Sequence, residues 1–232
     1  VLRVLKFSVR DLWDDFVILL LLNVLWTLAA LLPTAPLLII REMSLAGTVA
    51  ASLSLALPLA MVSGALCYVT NQVARGRTAG WSTFVTGLRR YWAKSLAVAG
   101  LNALALVIIL ANLNFYAVIL QGTWTNIAIG FWVLLSIYWL LVQIYWFPMI
   151  LELESEKIFE GLRHAFALTV IAPGFSLAVG AILLGLTILC ILLTIPSMII
   201  MAALLLLVAN HATRCRLAAI QKEPYRPGEI KK

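Results

Sequence analysis

The sequence predicts an all-α fold: a polytopic transmembrane bundle of six crossings, with amphipathic helices at the interface and both termini cytoplasmic. Three observations carry this. The 232 residues are 63% hydrophobic and only 12% charged, about half the charge of an ordinary soluble domain, and mean hydropathy is +1.04. Runs such as 16-FVILLLLNVLWTLAALL-32 are unbroken, whereas a membrane β-strand alternates apolar and polar residues over about 10 positions. Finally, the basic residues are distributed to one side of any six-crossing arrangement.

At about 20 residues per crossing, the apolar stretches are residues 15 to 32, 46 to 70, 95 to 112, 126 to 149, 174 to 194 and 197 to 213. Backbone groups in lipid must be satisfied within their own segment, so each stretch is expected to be helical even where Val, Ile and Thr are frequent. Pro58 lies inside the second stretch. Pro196 separates the last two, and reading 174 to 213 as one bent element would reduce the count to five.

Charge supports six. With the N-terminus inside, the cytoplasmic stretches hold Arg3, Lys6, Arg10, Arg75, Arg77, Arg89, Arg90, Lys94, Lys157, Arg163, Arg214, Arg216, Lys222, Arg226, Lys231 and Lys232, leaving only Arg41 outside. The net charge of +7 is therefore topogenic and calls for no nucleic-acid partner. The lipid bilayer is the expected partner, and a basic inner face suits anionic headgroups.

Residues 1 to 15 carry Asp11, Asp14 and Asp15 and do not read as a cleavable signal peptide. They form instead an interfacial amphipathic helix, with Leu2, Leu5, Val9, Leu12, Trp13 and Phe16 at helical spacing. Two further surface helices are expected near residues 80 to 92, through Trp81, Phe84, Leu88 and Tyr91 or Trp92, and near 156 to 170, through Phe159, Leu162 and Phe166. The first of these runs, 84-FVTGLRRYWAKSLAV-98, and the second, 159-FEGLRHAFALTVIA-172, share a Phe and a Gly-Leu-Arg step, suggesting a parallel repeat. Residues 16 to 213 thus make the membrane domain, and 214 to 232 a basic cytoplasmic tail.

Chemistry is sparse. Cys67, Cys190 and Cys215 form no CxxC pair and read as reduced packing residues. His164 and His211 have no second ligand at metal spacing, and no HExxH, GxSxG or P-loop pattern occurs. His211 reads as a cation at a helix end, and Glu152, Glu154 and Glu156 as a solvated helix start. No catalytic residue, metal or cofactor is assigned. Every Asp, Glu, Lys and Arg falls at or outside an interface, so no ionisable group is expected at mid-membrane depth.

Neutral residues are more informative. Asn23, with Trp26 one turn on, Asn102 and Gln143 lie where lipid cannot satisfy an amide, and are expected to point into the bundle as interhelical glue or as ligand groups. Gly174, Ala178, Ser176 and Gly180 suggest close helix packing or self-association. In the fourth crossing Trp132, Trp139 and Trp146 recur every seven residues, each preceded by an aromatic, Phe131, Tyr138 and Tyr145. Seven residues fall about 20° short of two turns, so the rings make a band down one side. It suits core packing, a partner helix, or stacking on a sugar, quinone or pigment.

The strings 23-NVLW-26, Pro58 followed by 75-RGRTAGWSTF-84, 145-YWFP-148 and 159-FEGLRHAF-166, in that order, resemble the YesL-like family of bacterial polytopic membrane proteins. The resemblance spans roughly residues 10 to 215. It implies a small multi-pass protein of the bacterial inner membrane associated with carbohydrate uptake, and supplies no catalytic residues. The expected function is that of an accessory or scaffold protein docking on a larger membrane assembly, a carbohydrate uptake (ABC) system being the candidate. The alternatives are a small transporter or channel for a neutral solute, a subunit of a pigment- or quinone-containing complex, and an enzyme acting on lipid or lipid-linked sugar.

Overall fold

The computed structural model describes residues 1–36, 44–119, 122–153, 157–193 and 195–225. Among the described residues, eight α-helices carry the fold: α1 (Leu2–Asp14), α2 (Phe16–Leu31), α3 (Leu45–Ala74), α4 (Trp81–Asn114), α5 (Thr123–Glu152), α6 (Ile158–Ile171), α7 (Pro173–Leu193) and α8 (Ile195–Ile220). A 3₁₀ turn, Leu32–Thr34, ends α2, and a π turn, Phe115–Ile119, extends α4. Six helical stretches are long and apolar enough to cross a membrane: Phe16–Thr34, Ala50–Ala74, Trp81–Val118, Trp124–Glu152, Pro173–Leu193 and Ile199–Ile220. The chain is a multi-pass helical membrane protein, with α1 and α6 as its two shorter elements.

Local chemistry sets several boundaries. Ser44 caps α3 by accepting from the Gly47 amide at 3.2 Å. The other end of α3 closes at Gly76, whose φ of 72° is a left-handed helix stop that a side chain disfavours. Pro58 and Pro148 lie inside α3 and α5 without ending them. In lipid the helix is the least costly way to satisfy the backbone, and it outweighs the lost N–H.

The core gathers on α8. Its Ala203, Leu207, Val208 and Ala212 pack with Leu19 and Leu22 of α2, Leu66 and Val69 of α3, Met149 and Ile150 of α5, and Val4 of α1. In an 18-residue apolar window of α8, 56% of residues are buried, against 11% in such windows of α4 and α5. Helices in lipid gain nothing from hiding apolar surface, so their association rests on close contact and hydrogen bonds. Contacts are tight at the end of the bundle that holds α1, and the far parts of α4 and α5 are loosely held.

One of the two expected surface helices differs from the sequence reading. Residues 80 to 92 are not a separate element: they open α4, which runs unbroken from Trp81 into the third crossing. No proline or glycine stop follows Arg90, so the helix continues. The run near 156 to 170 does end, at Ala172, because Pro173 starts α7. The glycine of each Gly-Leu-Arg step has the same use. A Cβ on Gly87 would lie 2.7 Å from the Tyr68 ring, and one on Gly161 would overlap the Ile150 side chain. Each lets its helix close on the preceding long one. In α1 the buried line is Val4, Ser8 and Leu12, while Leu2, Val9 and Trp13 face outward. Arg41, Glu154, Glu156 and the tail from 226 to 232 lie outside the described residues.

Candidate functional site

The described polar groups concentrate at one end of the bundle, where α1, α3, α5 and α8 meet. Asn71 on α3 is buried and donates from Nδ2 to Glu152 Oε1 (2.9 Å) and to Asn210 Oδ1 (3.1 Å). The Asn210 amide in turn donates to Thr70 Oγ1 at 3.0 Å and to the Leu206 carbonyl at 2.9 Å. Glu152 is held from two sides, by Arg75 Nη2 at 3.1 Å and Arg214 Nε at 3.6 Å. Arg214 also donates to the Ala74 carbonyl. Three helices are thereby joined through one carboxylate, whose side chain is only 15% exposed. Two atoms in the cluster, Asn71 Oδ1 and Arg75 Nε, are buried without a partner.

A second knot lies beside it. His211 is wholly buried, with Nε2 2.9 Å from Asp11 Oδ2 of α1 and Nδ1 hydrogen-bonded to the Tyr225 hydroxyl. Phe7 packs against both rings, at centroid distances of 6.4 and 6.2 Å. Burial pushes the Tyr225 phenol well above its ordinary range, so it stays neutral. Asp11 also lines a cavity of about 290 Å³ with Phe7, Arg10, Asp14, Asp15, Arg77 and Thr78. Burial raises the Asp15 carboxyl, the Ala79 backbone N–H opposes that, and the neighbouring charges of Asp11 and Asp14 add to it. Among the described residues no group of three or more His, Cys, Asp or Glu is arranged to hold a metal ion.

These positions correct two sequence expectations. His211 does not cap a helix end: α8 continues to Ile220, placing the imidazole inside the helix against α1. Glu152 is not a solvated helix start but the last residue of α5, turned inward onto two guanidinium groups. The sequence shows each group only its near neighbours, while the partners that decide its role are 200 and 81 positions away.

The residues that the sequence singled out are separated by the fold. Asn23 is fully buried and its Oδ1 accepts from the Ala203 amide at 3.2 Å, joining α2 to α8. Trp26 Nε1 donates to Ser63 Oγ at 2.8 Å, joining α2 to α3. Asn102 donates to the Val98 carbonyl of its own helix. Gln143 Nε2 is buried with no hydrogen-bond partner. The aromatic band divides. Tyr138 and Trp139 pack on Phe166 of α6, at 5.5 and 6.2 Å between centroids. Tyr145 bonds Ser176 of α7 at 3.0 Å, and Trp146 meets Trp139 edge-on at 5.9 Å and reaches the Ile158 carbonyl. Trp132 contacts Phe131, which is largely exposed. Tyr138, Trp139, Tyr145 and Trp146 are thus a packing ridge under α6 and α7. Gly180 joins that interface, its missing Cβ leaving room for Leu141, whereas Gly174 faces open space.

Replacing Asn23 with Ala is expected to lower unfolding stability in detergent by about 1 kcal/mol, the usual size of one such interhelical bond plus its packing. Chemical unfolding followed by tryptophan fluorescence checks it, and an unchanged midpoint would show that the Asn23–Ala203 bond contributes nothing to holding α2.

Comparison with known proteins finds no matching family model, no matching curated protein and no matching solved structure.

Proposed function

We propose that this chain is an accessory or scaffold protein of the bacterial inner membrane, with both termini cytoplasmic, that docks on a larger membrane assembly through the outer parts of α4, α5 and α7. The YesL-like strings make a carbohydrate uptake system the assembly of choice. The observation that carries the reading is the uneven packing. The inner end is locked, its carboxylate and imidazole engaged by protein groups, which suits a rigid base better than a site of turnover. The outer helices have few internal contacts, and Gly100, Gly130 and Gly185 stand on them with nothing within 4 Å of the point a methyl group would occupy. Glycine in a helix costs about 1 kcal/mol relative to alanine. In membranes that cost is usually offset where another helix approaches closely.

Purification in mild detergent, with mass spectrometry of what accompanies the chain, tests this. A membrane partner recovered in fixed ratio is expected, and Gly100→Leu with Gly130→Leu should reduce its recovery at least about fivefold, the loss of roughly 1 kcal/mol of contact. A monodisperse chain with no partner overturns the reading.

A further inference from the structure

Among the described basic residues, Arg89 and Arg90 are unlike Arg75, Arg214 and Arg10. Both are exposed on α4, and neither forms an ion pair among the described residues. Their surroundings are specific. At 100° per residue, Trp81, Arg89, Trp92 and Arg90 fall within one arc of about 180°, opposite the buried line of Phe84, Gly87, Tyr91 and Ser95. Both indoles lie open, Trp81 at 57% and Trp92 at 50% exposure. Behind them Tyr91 is buried, with Arg90 Cζ 5.6 Å and Lys94 Nζ 5.3 Å from its ring centroid.

Depth follows from length. Residues 96–113 of α4 carry no charge and span about 27 Å of helix, close to the roughly 30 Å thickness of a hydrocarbon core. Arg90 and Arg89 then lie about 9 and 10 Å beyond that apolar run, at headgroup level, with Trp92 between them and the acyl region. Indoles favour that boundary, and a guanidinium matches a phosphate oxygen pair in a fork that ammonium cannot reproduce. Charge complementarity at that depth selects the occupant.

The geometry points to the Arg89, Arg90 and Trp92 face of α4 as a binding surface for the headgroup of an anionic phospholipid in the leaflet next to the basic end of the chain. The phosphate lies against the two guanidinium groups, and the Trp92 indole holds the glycerol and upper acyl region. This inference is independent of any protein partner.

The test uses the full chain in nanodiscs containing equal phosphatidylglycerol and phosphatidylcholine, with native mass spectrometry counting lipids retained on release. Phosphatidylglycerol is expected to be retained over phosphatidylcholine, and R89Q/R90Q should lower that preference by about fivefold or more, given the attraction of each basic residue at an anionic surface. R3Q/K6Q, which removes the same charge from α1, should leave most of it. R90Q alone should give an intermediate loss and guards against misfolding of the double variant. An unchanged preference in R89Q/R90Q overturns the proposal, and so does an equal fall in both double variants, which would mean a diffuse field. Retention of an acidic polypeptide in place of lipid overturns it as well.

Discussion

Glu152→Ala is expected to lower unfolding stability by about 3 kcal/mol, the largest loss from any single polar substitution in this chain. The figure follows from what is left behind. Removing one member of a mostly buried ion pair typically costs about 3–5 kcal/mol, and the partial exposure of Arg75 and Arg214, each 20%, places this case at the low end. Asn71 loses one of its two acceptors at the same time. Equilibrium unfolding in detergent, read by circular dichroism, provides the measurement. Arg214→Ala in the Glu152→Ala background should cost much less than in the parent, because the guanidinium has already lost its carboxylate. The Arg10–Asp14 pair, 70% and 59% exposed, is the control: breaking it should change stability little. A Glu152→Ala midpoint within experimental scatter of the parent would mean that the Glu152 ion pairs contribute nothing to holding α3, α5 and α8 together.

The second large effect is steric. Gly64→Ala on α3 would drive a methyl into Ser95 Oγ and place it 2.8 Å from Ser95 Cβ and 3.0 Å from Phe147. The Ser95 hydroxyl is engaged, donating to the Tyr91 carbonyl at 2.8 Å, and its Cβ cannot rotate away, so α3 and α4 must move apart. Overpacking of this kind costs about 1–3 kcal/mol, and two helices in close register put this site at the upper end. Ser95→Gly in the same chain should recover most of the loss. By contrast, Gly100→Ala meets nothing within 4 Å and should be neutral or stabilising by up to about 1 kcal/mol. Thermal unfolding of the parent and the three variants decides it, and equal behaviour of Gly64→Ala and Gly100→Ala would refute the close approach.

The fold is largely legible in the sequence because membrane insertion depends on local composition. A run such as 16 to 32 needs no knowledge of its neighbours to be helical, and six such runs correspond to six helices. Continuity is less legible: nothing in 80 to 92 says whether the chain bends before entering the bilayer, since amphipathic and membrane-spanning helices share backbone geometry. The polar cluster is not legible. Asn210, Asn71 and Glu152 are ordinary residues near helix ends until tertiary packing brings them together over 139 and 81 positions. One signal is present: Asn210 and His211 lie one turn before Arg214 in a helix otherwise rich in leucine, an uncommon density of polar groups for a buried element. The seven-residue aromatic period does mark a band along α5. Its C-terminal part is a ridge for α6 and α7, because Gly161 and Gly180 allow those helices to approach it.

The pairing of Asp11 with His211 also sets an order of events during synthesis. The partners are 200 residues apart, and ribosomes add about 5–20 residues per second, so roughly 10–40 s separate the emergence of the carboxylate from that of its imidazole. Throughout that interval Asp11 has no imidazole to pair with, and the outward Leu2, Val9 and Trp13 of α1 can rest on the membrane surface while the remaining helices insert. Docking of α1 therefore belongs to the last stage of assembly, after α8 is in place, and Tyr225 closes the joint from the other side. Helix α1, although made before the helices it docks on, is among the last parts of this protein to become native.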